Sequence, residues 1–141
     1  QMCIRDRAPI ICSHSSSMAM CKHDRNLTDE QLKALAQNGG VAQVCLLDRY
    51  INEDYKNASL TDAIEHIDHM VKVAGIDHVG IGSDFDGGGG IIGCESDNDF
   101  IQITVKLIEK GYTEEDIAKI WGGNLMRVLD EVQATASVKT L

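Results

Sequence analysis

The sequence lacks features that several classes of protein require. Its 13 Lys and Arg residues are outnumbered by 22 Asp and Glu residues, and the net charge of −9 without any basic stripe argues against nucleic acid as a partner. No apolar run approaches the roughly 20 residues of a membrane-spanning helix, so no membrane segment is expected and a cytoplasmic location is favoured. The five cysteines include no CxxC pair and are interpreted as buried free thiols.

Short apolar runs alternate with amphipathic helical patterns along the rest of the chain. The runs predict strands at residues 8–13, 40–47 and 78–83, because each is too short for a helix and rich in β-branched residues. Hydroxyl residues in capping patterns predict the starts of helices, which are expected at residues 29–38, 60–74, 97–110 and 114–121. Asn124 is predicted to begin the last helix, with Leu125, Val128, Leu129 and Val132 facing inward.

This order of elements predicts an α/β fold with a parallel sheet covered on both faces. Three strands are too few for such a fold, since a closed (β/α)8 barrel uses eight strands in about 250 residues. We therefore expect residues 8–141 to be the C-terminal part of a larger TIM-like barrel, made of about three βα units plus terminal helices. Residues 1–7 fit no element and are interpreted as a tail foreign to the fold.

Polar side chains follow each predicted strand, at the edge where parallel α/β folds bind ligands. His14 follows the first strand, Asp48 and Tyr50 lie near the end of the second, and Asp84 and Asp86 follow the third. His14 fits either a metal ligand or a loop histidine bonded to neighbouring serines. Asp84 fits either a ligand or general acid/base, or a turn carboxylate that accepts amide hydrogens. Asp86, which precedes a glycine, is interpreted as a turn residue.

Arginine and the remaining histidines provide fewer candidates. Arg25 lies in the loop after the first strand, where its guanidinium is suited to binding a substrate carboxylate, the alternative being a solvated loop residue. His66 and His69 are three residues apart on a predicted helix and are expected at the surface. His78 opens the third predicted strand, at the end far from the candidate site.

Four motifs in order resemble the zinc-dependent membrane dipeptidase (renal dipeptidase) family, especially its bacterial members. They are the segments APIICSHSS at 8–16, RNLTDE at 25–30, GSDFDG at 82–87 and GGNLMRVL at 122–129. The resemblance runs from about Ala8 to the last helix, and it rests on the order and spacing of all four motifs together.

The resemblance implies a metallo-dependent hydrolase with a (β/α)8 barrel and two zinc ions, which cleaves dipeptides with a metal-activated water. By position, His14 matches a zinc ligand and Arg25 matches the arginine that binds the terminal carboxylate of the dipeptide. Asp84 matches the aspartate that contacts the reacting centre, accepts the proton of the water and passes it to the leaving amine. A homodimer is the assembly that the resemblance suggests for the complete protein.

The departures from the family pattern concern the metal site. The HxD motif, the bridging glutamate and two further histidines of the family lie upstream of the matched region, so these 141 residues alone are expected to be inactive. A noncatalytic piece, or a half-domain that needs a partner chain, is the alternative. Asp84-Phe85-Asp86-Gly87 also resembles the motif of haloacid-dehalogenase-like phosphatases, which is less favoured because that motif opens its fold and here stands near the end.

Overall fold

A computed structural model describes residues 8–138 of the chain, and residues 1–7, interpreted above as a foreign tail, lie outside the described part. Its sheet contains three parallel strands in the order β1 (Ile11–Cys12), β2 (Val41–Val44) and β3 (Val79–Ile81). Ile11 is in register with Val41, and Ala42 with Val79. The predicted α/β fold with a parallel sheet is confirmed.

The strands are shorter than predicted. Apolar sequence continues beyond each strand, but ladder hydrogen bonds require a partner at the same level, and β1 pairs with β2 over only two positions. The prediction that His78 opens the third strand is wrong, because residues Ile76–His78 form a 3-10 turn. The His78 side chain donates from Nδ1 to the carbonyl oxygen of Gly40, the residue before β2, at 2.8 Å.

Within residues 8–138, six α-helices pack around the sheet: α1 (Asp29–Gln37), α2 (Asp48–Ile51), α3 (Leu60–Ala74), α4 (Phe100–Glu109), α5 (Glu114–Ala118) and α6 (Asn124–Val138). Capping boxes at Thr28, Ser59 and Thr113 start α1, α3 and α5 as predicted. Ser96 caps a 3-10 turn instead, so α4 begins at Phe100. Among residues 8–138 no helix has both the length and the apolar character that crossing a bilayer requires.

One hydrophobic core joins the sheet to the helices. Its most completely buried members come from α1, β2, α3, β3, α4 and the segment after α5, and they include Leu32, Val44, Ile64, Ile67, Met70, Val79, Leu107 and Ile120. The described cysteines are free, with Cys21, Cys45 and Cys94 buried and Cys12 half-buried. For these four residues the prediction of unpaired thiols is confirmed.

Two burial predictions are wrong. His66 was expected at the surface but is 1% exposed, because the loop after β1 and the end of α2 cover that face of α3. Of the four α6 residues expected to face inward, Val128 is buried, whereas Leu129 is 45% and Val132 is 37% exposed. Leu129 and Val132 line an open apolar groove beside the unpaired edge of β1, together with Pro9 and Ile11.

Candidate functional site

A cleft of about 520 Å³ lies at the carboxyl end of the sheet. It is lined by residues that follow β1 and β3 and by two aromatic side chains from the helical part: Ser13, His14, Ile81, Gly82, Ser83, Asp84, Asp86, Phe100 and Trp121. The parallel topology therefore brings His14 and Asp84 to one cavity although they are 70 positions apart in sequence, as expected for strands that end at the same edge of one parallel sheet.

Both ring nitrogens of His14 are engaged. Nη2 of Arg25 lies 3.1 Å from Nε2, and Oγ of Ser13 lies 2.8 Å from Nδ1. A guanidinium can only donate, so Nε2 is the acceptor and a neutral ring carries its hydrogen on Nδ1, which donates to Ser13. The contact joins two of the residues that were predicted for the site.

Arg25 is not among the lining residues of the cleft but contacts one of them, His14, and its side chain is held from two directions. Besides His14, its guanidinium carbon is 5.9 Å from the ring centroid of Tyr50 on α2, within the range of a cation–π interaction. The ring of His23 in turn lies 4.5 Å from that of Tyr50, centroid to centroid. Arg25 remains exposed, so its remaining donors are available to an anionic ligand.

Asp84 has an unusual backbone, with φ of 65° in the left-handed region, which aspartate tolerates better than most residues. Gly87 and Gly89 make this turn possible, because a Cβ at Gly89 would overlap the carbonyl oxygens of Ser83 and Asp84, and one at Gly87 would overlap the Asp84 carboxylate. The Asp84 side chain is half-buried, and its Oδ2 accepts from the thiol of Cys45 over 3.6 Å. Burial, reinforced by the charge of Asp84, raises the pKa of the Cys45 thiol to about 12, so this thiol is a donor at neutral pH.

The other polar candidates differ in how they relate to the cleft. Asp86 is exposed and lines it. Asp48 instead accepts from the backbone N–H of Arg49 at the start of α2, at 2.6 Å, and is not among the residues that line the cleft. His69 pairs with Asp29 on α1 at 2.7 Å, which makes it a link between helices rather than a site residue.

The aromatic wall of the cleft was missed from the sequence. The rings of Phe85 and Phe100 stack with centroids 5.5 Å apart, and Phe100 packs on Trp121 at 5.3 Å. The indole N–H of Trp121 donates to Oγ1 of Thr104 at 2.9 Å, which fixes the ring against α4. Phe100 and Trp121 lie on helical segments that are far in sequence from the ends of the strands, so no local sequence pattern identifies them as site residues. Cys45 directly follows β2, and that position is a signal that sequence reasoning could have used.

The described side chains do not make a complete metal site. Within residues 8–138 there is no group of three or more His, Cys, Asp or Glu side chains that could hold a metal ion. The lone pair of His14 Nε2, the atom available for a metal, accepts from Arg25. This part of the chain therefore supplies at most a share of the ligands that a zinc ion needs.

Comparison with known sequences gives a consistent result. A family model described as membrane dipeptidase (peptidase family M19) matches residues 5–141. Dipeptidase aclJ of Aspergillus oryzae is 39% identical over 132 residues, which are 92% of this chain and 31% of the relative. Dipeptidase ataJ of Aspergillus terreus is 40% identical over 132 residues, again 92% of this chain and 32% of the relative. The chain thus spans about a third of the length of these curated relatives.

Comparison with solved structures finds the same fold in proteins that are also described as peptidases. The probable dipeptidase PvdM from Pseudomonas aeruginosa superposes with a TM-score of 0.85 at 30% identity, covering 92% of this chain and 46% of that chain. A metallo peptidase from Rhodobacter sphaeroides, liganded with a phosphinate mimic of the dipeptide L-Ala-D-Ala, gives a TM-score of 0.82 at 29% identity. That match covers 88% of this chain and 36% of the Rhodobacter chain.

Proposed function

Since this chain belongs to the membrane dipeptidase family, peptidase family M19, we propose that it forms part of a zinc-dependent dipeptidase, an enzyme that hydrolyses the peptide bond of dipeptides. The observation that carries the proposal is the meeting of His14, Arg25 and Asp84 at the carboxyl edge of one parallel sheet. The family membership supplies the reaction class, because its members are metallopeptidases.

The three strands and their helices are proposed to be part of a (β/α)8 barrel. Two features support this. The aligned region is about a third of the curated relatives' length, and β1 is paired on one side only among the described residues. Further βα units of the same barrel would pair with β1 and cover the apolar groove lined by Leu129 and Val132.

In the proposed reaction Arg25 binds the terminal carboxylate of the dipeptide, since its exposed guanidinium lies next to the lining residue His14 and retains donors for an anion. Asp84 accepts a proton from the attacking water as the oxygen bonds to the scissile carbonyl carbon. It then delivers that proton to the amine nitrogen as the carbon–nitrogen bond breaks. The side chains of Phe100 and Trp121 supply an apolar wall beside the dipeptide.

Two zinc ions are the proposed cofactor, with His14 as one of their ligands. A single imidazole cannot hold a binuclear centre, and the described residues contain no group of three ligands. We therefore propose that the 141 residues alone neither bind zinc stoichiometrically nor hydrolyse dipeptides. Elemental analysis of the purified chain, together with a dipeptide hydrolysis assay in added zinc, tests this: stoichiometric zinc or measurable turnover would refute it.

The substrate role of Arg25 is tested separately by binding. L-Ala-D-Ala, the dipeptide mimicked in the Rhodobacter relative, is titrated into the 15N-labelled chain and followed by NMR. We expect Arg25→Ala to raise the dissociation constant by about two- to fivefold, as for the loss of an exposed ion pair. The amide of the same dipeptide, which lacks the carboxylate, should bind the wild-type chain and Arg25→Ala equally.

Arg49 provides a matched control for Arg25. It is also exposed, and it lies over a tyrosine ring at the same distance, 5.9 Å from the centroid of Tyr55. Arg49→Ala should leave the affinity for L-Ala-D-Ala unchanged. Equal losses in the two variants, or equal binding of the dipeptide and its amide by the wild-type chain, would contradict the assigned role of Arg25.

A further inference from the structure

His66 is a buried titratable side chain that the proposed reaction does not use. It lies on α3, is 1% exposed, and has partners at both ring nitrogens. Nδ1 is 3.0 Å from the backbone nitrogen of Ser17, and Nε2 is 2.9 Å from the carbonyl oxygen of Ile51. A backbone N–H only donates and a carbonyl only accepts, so the ring is neutral, with its hydrogen on Nε2.

These two bonds link three separate parts of the chain. Ile51 is the last residue of α2, and Ser17 lies in the loop between β1 and α1. That loop carries His14 near its start and Arg25 near its end, and the two side chains meet at 3.1 Å. His66 therefore anchors, from the interior, the segment whose two ends form one side of the candidate site.

The loop between β1 and α1 is a closed unit, so a single anchor can affect both of its ends. Backbone bonds of 2.8 Å from Met18 to Leu27 and from Leu27 to Ser16 close the loop on itself. The buried amide of Asn26, the neighbour of Arg25, donates to the carbonyl oxygens of Cys21 and Tyr50. A displacement at Ser17 is consequently transmitted along the loop instead of being absorbed by slack chain.

We propose that His66 is a positioning residue of the candidate site. By accepting the Ser17 amide hydrogen, it holds the loop in the arrangement that sets Arg25 against His14, a lining residue of the cleft. The inference rests on the proposed function for its consequence in substrate binding, whereas the anchoring itself is a property of this chain alone. His66 touches neither substrate nor reacting atoms and acts through Ser17.

Two isosteric substitutions test the two hydrogen bonds of His66 one at a time. In His66→Asn the amide oxygen takes the approximate position of Nδ1 and keeps an acceptor for Ser17, while the bond to Ile51 is lost. In His66→Gln the amide nitrogen takes the approximate position of Nε2 and keeps a donor for Ile51, while Ser17 loses its acceptor. Both variants remove the ring, so a merely structural role predicts similar effects from the two.

The measurements are amide hydrogen exchange at Ser17 and NMR chemical shifts of the His14 ring and the Arg25 side chain. We expect His66→Gln to accelerate Ser17 exchange by roughly tenfold, as the loss of one hydrogen bond implies, and to shift both sets of signals. His66→Asn should stay close to the wild type in all three. His69→Gln and His69→Asn are matched controls one turn along α3, where the partner is Asp29, and both should change none of them.

Several results would overturn the inference. Equal effects of His66→Asn and His66→Gln would do so, as would unchanged His14 and Arg25 signals in His66→Gln, or the same changes in the His69 controls. A measurement on the wild-type chain covers the case in which a variant does not fold: a long-range 1H–15N spectrum must show Nε2 protonated and Nδ1 unprotonated, and the opposite tautomer refutes the anchor.

The affinity for L-Ala-D-Ala is the final readout and separates this inference from the proposed function. If the wild-type chain binds the dipeptide, His66→Gln should weaken binding in the same direction as Arg25→Ala, and His66→Asn should not. Binding that is unaffected by His66→Gln would refute the positioning role. If the wild-type chain shows no binding, the assigned role of Arg25 in substrate binding fails, while exchange and chemical shifts still decide the anchor.

Discussion

Replacing Asn124 with alanine tests how the third strand, which leads to Asp84, is held in place. Asn124 begins α6 and is 3% exposed. Its Nδ2 donates to the carbonyl oxygens of Ile76 and Val79, at 2.7 and 2.8 Å, and so ties the helix to the segment that enters β3. Alanine removes both donors and leaves two acceptors without a partner at positions where water has little access.

The expected magnitude follows from those two acceptors. A buried acceptor left without a partner costs about 1–3 kcal/mol, and the Ile76 carbonyl, in a half-buried residue, belongs near the lower end of this range. The better helix propensity of alanine returns at most about 0.7 kcal/mol. We therefore expect Asn124→Ala to lower the free energy of unfolding by about 2–4 kcal/mol.

Urea unfolding at neutral pH, followed by the fluorescence of Trp121 and by far-UV circular dichroism, measures this loss. Asn57→Ala is the matched control, because the Asn57 side chain donates to Asp54 on the exposed surface, and its loss should be within about 0.5 kcal/mol of zero. A free energy of unfolding for Asn124→Ala within about 0.5 kcal/mol of the wild-type value, at an unchanged m-value, would refute the reasoning.

Two further predictions concern the sheet and pH. A Cβ at Gly82 would overlap the carbonyl oxygen of Ser13, so Gly82→Ala should lower the soluble yield and the midpoint of thermal unfolding. Gly122 has open space around it, so Gly122→Ala should lower neither, and equal midpoints for the two variants would contradict this reasoning. Burial lowers the pKa of His66 below its usual 6.5. Below about pH 6.5 the unfolded chain therefore takes up a proton at His66 that the folded chain does not, so the free energy of unfolding decreases as the pH falls. Comparing urea stabilities at pH 7 and pH 5, we expect the wild type to lose more than His66→Asn, by up to about 1.4 kcal/mol per pH unit, and equal losses would contradict the assignment of a neutral ring.

Local chemistry explains which elements were predictable. The starts of α1, α3 and α5 were predicted because a capping box is complete within four consecutive residues and needs no distant partner. Strand lengths were overestimated, since a ladder ends where its neighbour ends, and that neighbour is about 30 residues away for β1 and β2.

The candidate site, like the secondary structure, was predicted only in part. His14 and Asp84 were predicted to lie at one edge because they directly follow the predicted strands, and the structure places both in the lining of one cleft. Their roles, and that of Arg25, stay predictions. Phe100 and Trp121 were missed because their place in the cleft depends on how α4 and the segment after α5 pack over the sheet.

The sequence by itself determined the class of fold, the order of strands and helices, the helix caps and the family. Each of these depends on neighbouring residues or on motifs that can be identified from the order of residues along the chain. Only the tertiary structure decided what is buried and what meets. It buried His66 between a loop and two helices, left Leu129 and Val132 exposed beside β1, and set Arg25 against His14. Burial and long-range contacts depend on which surfaces cover one another. The hydrophobic periodicity of one helix or strand does not specify which other elements pack against it.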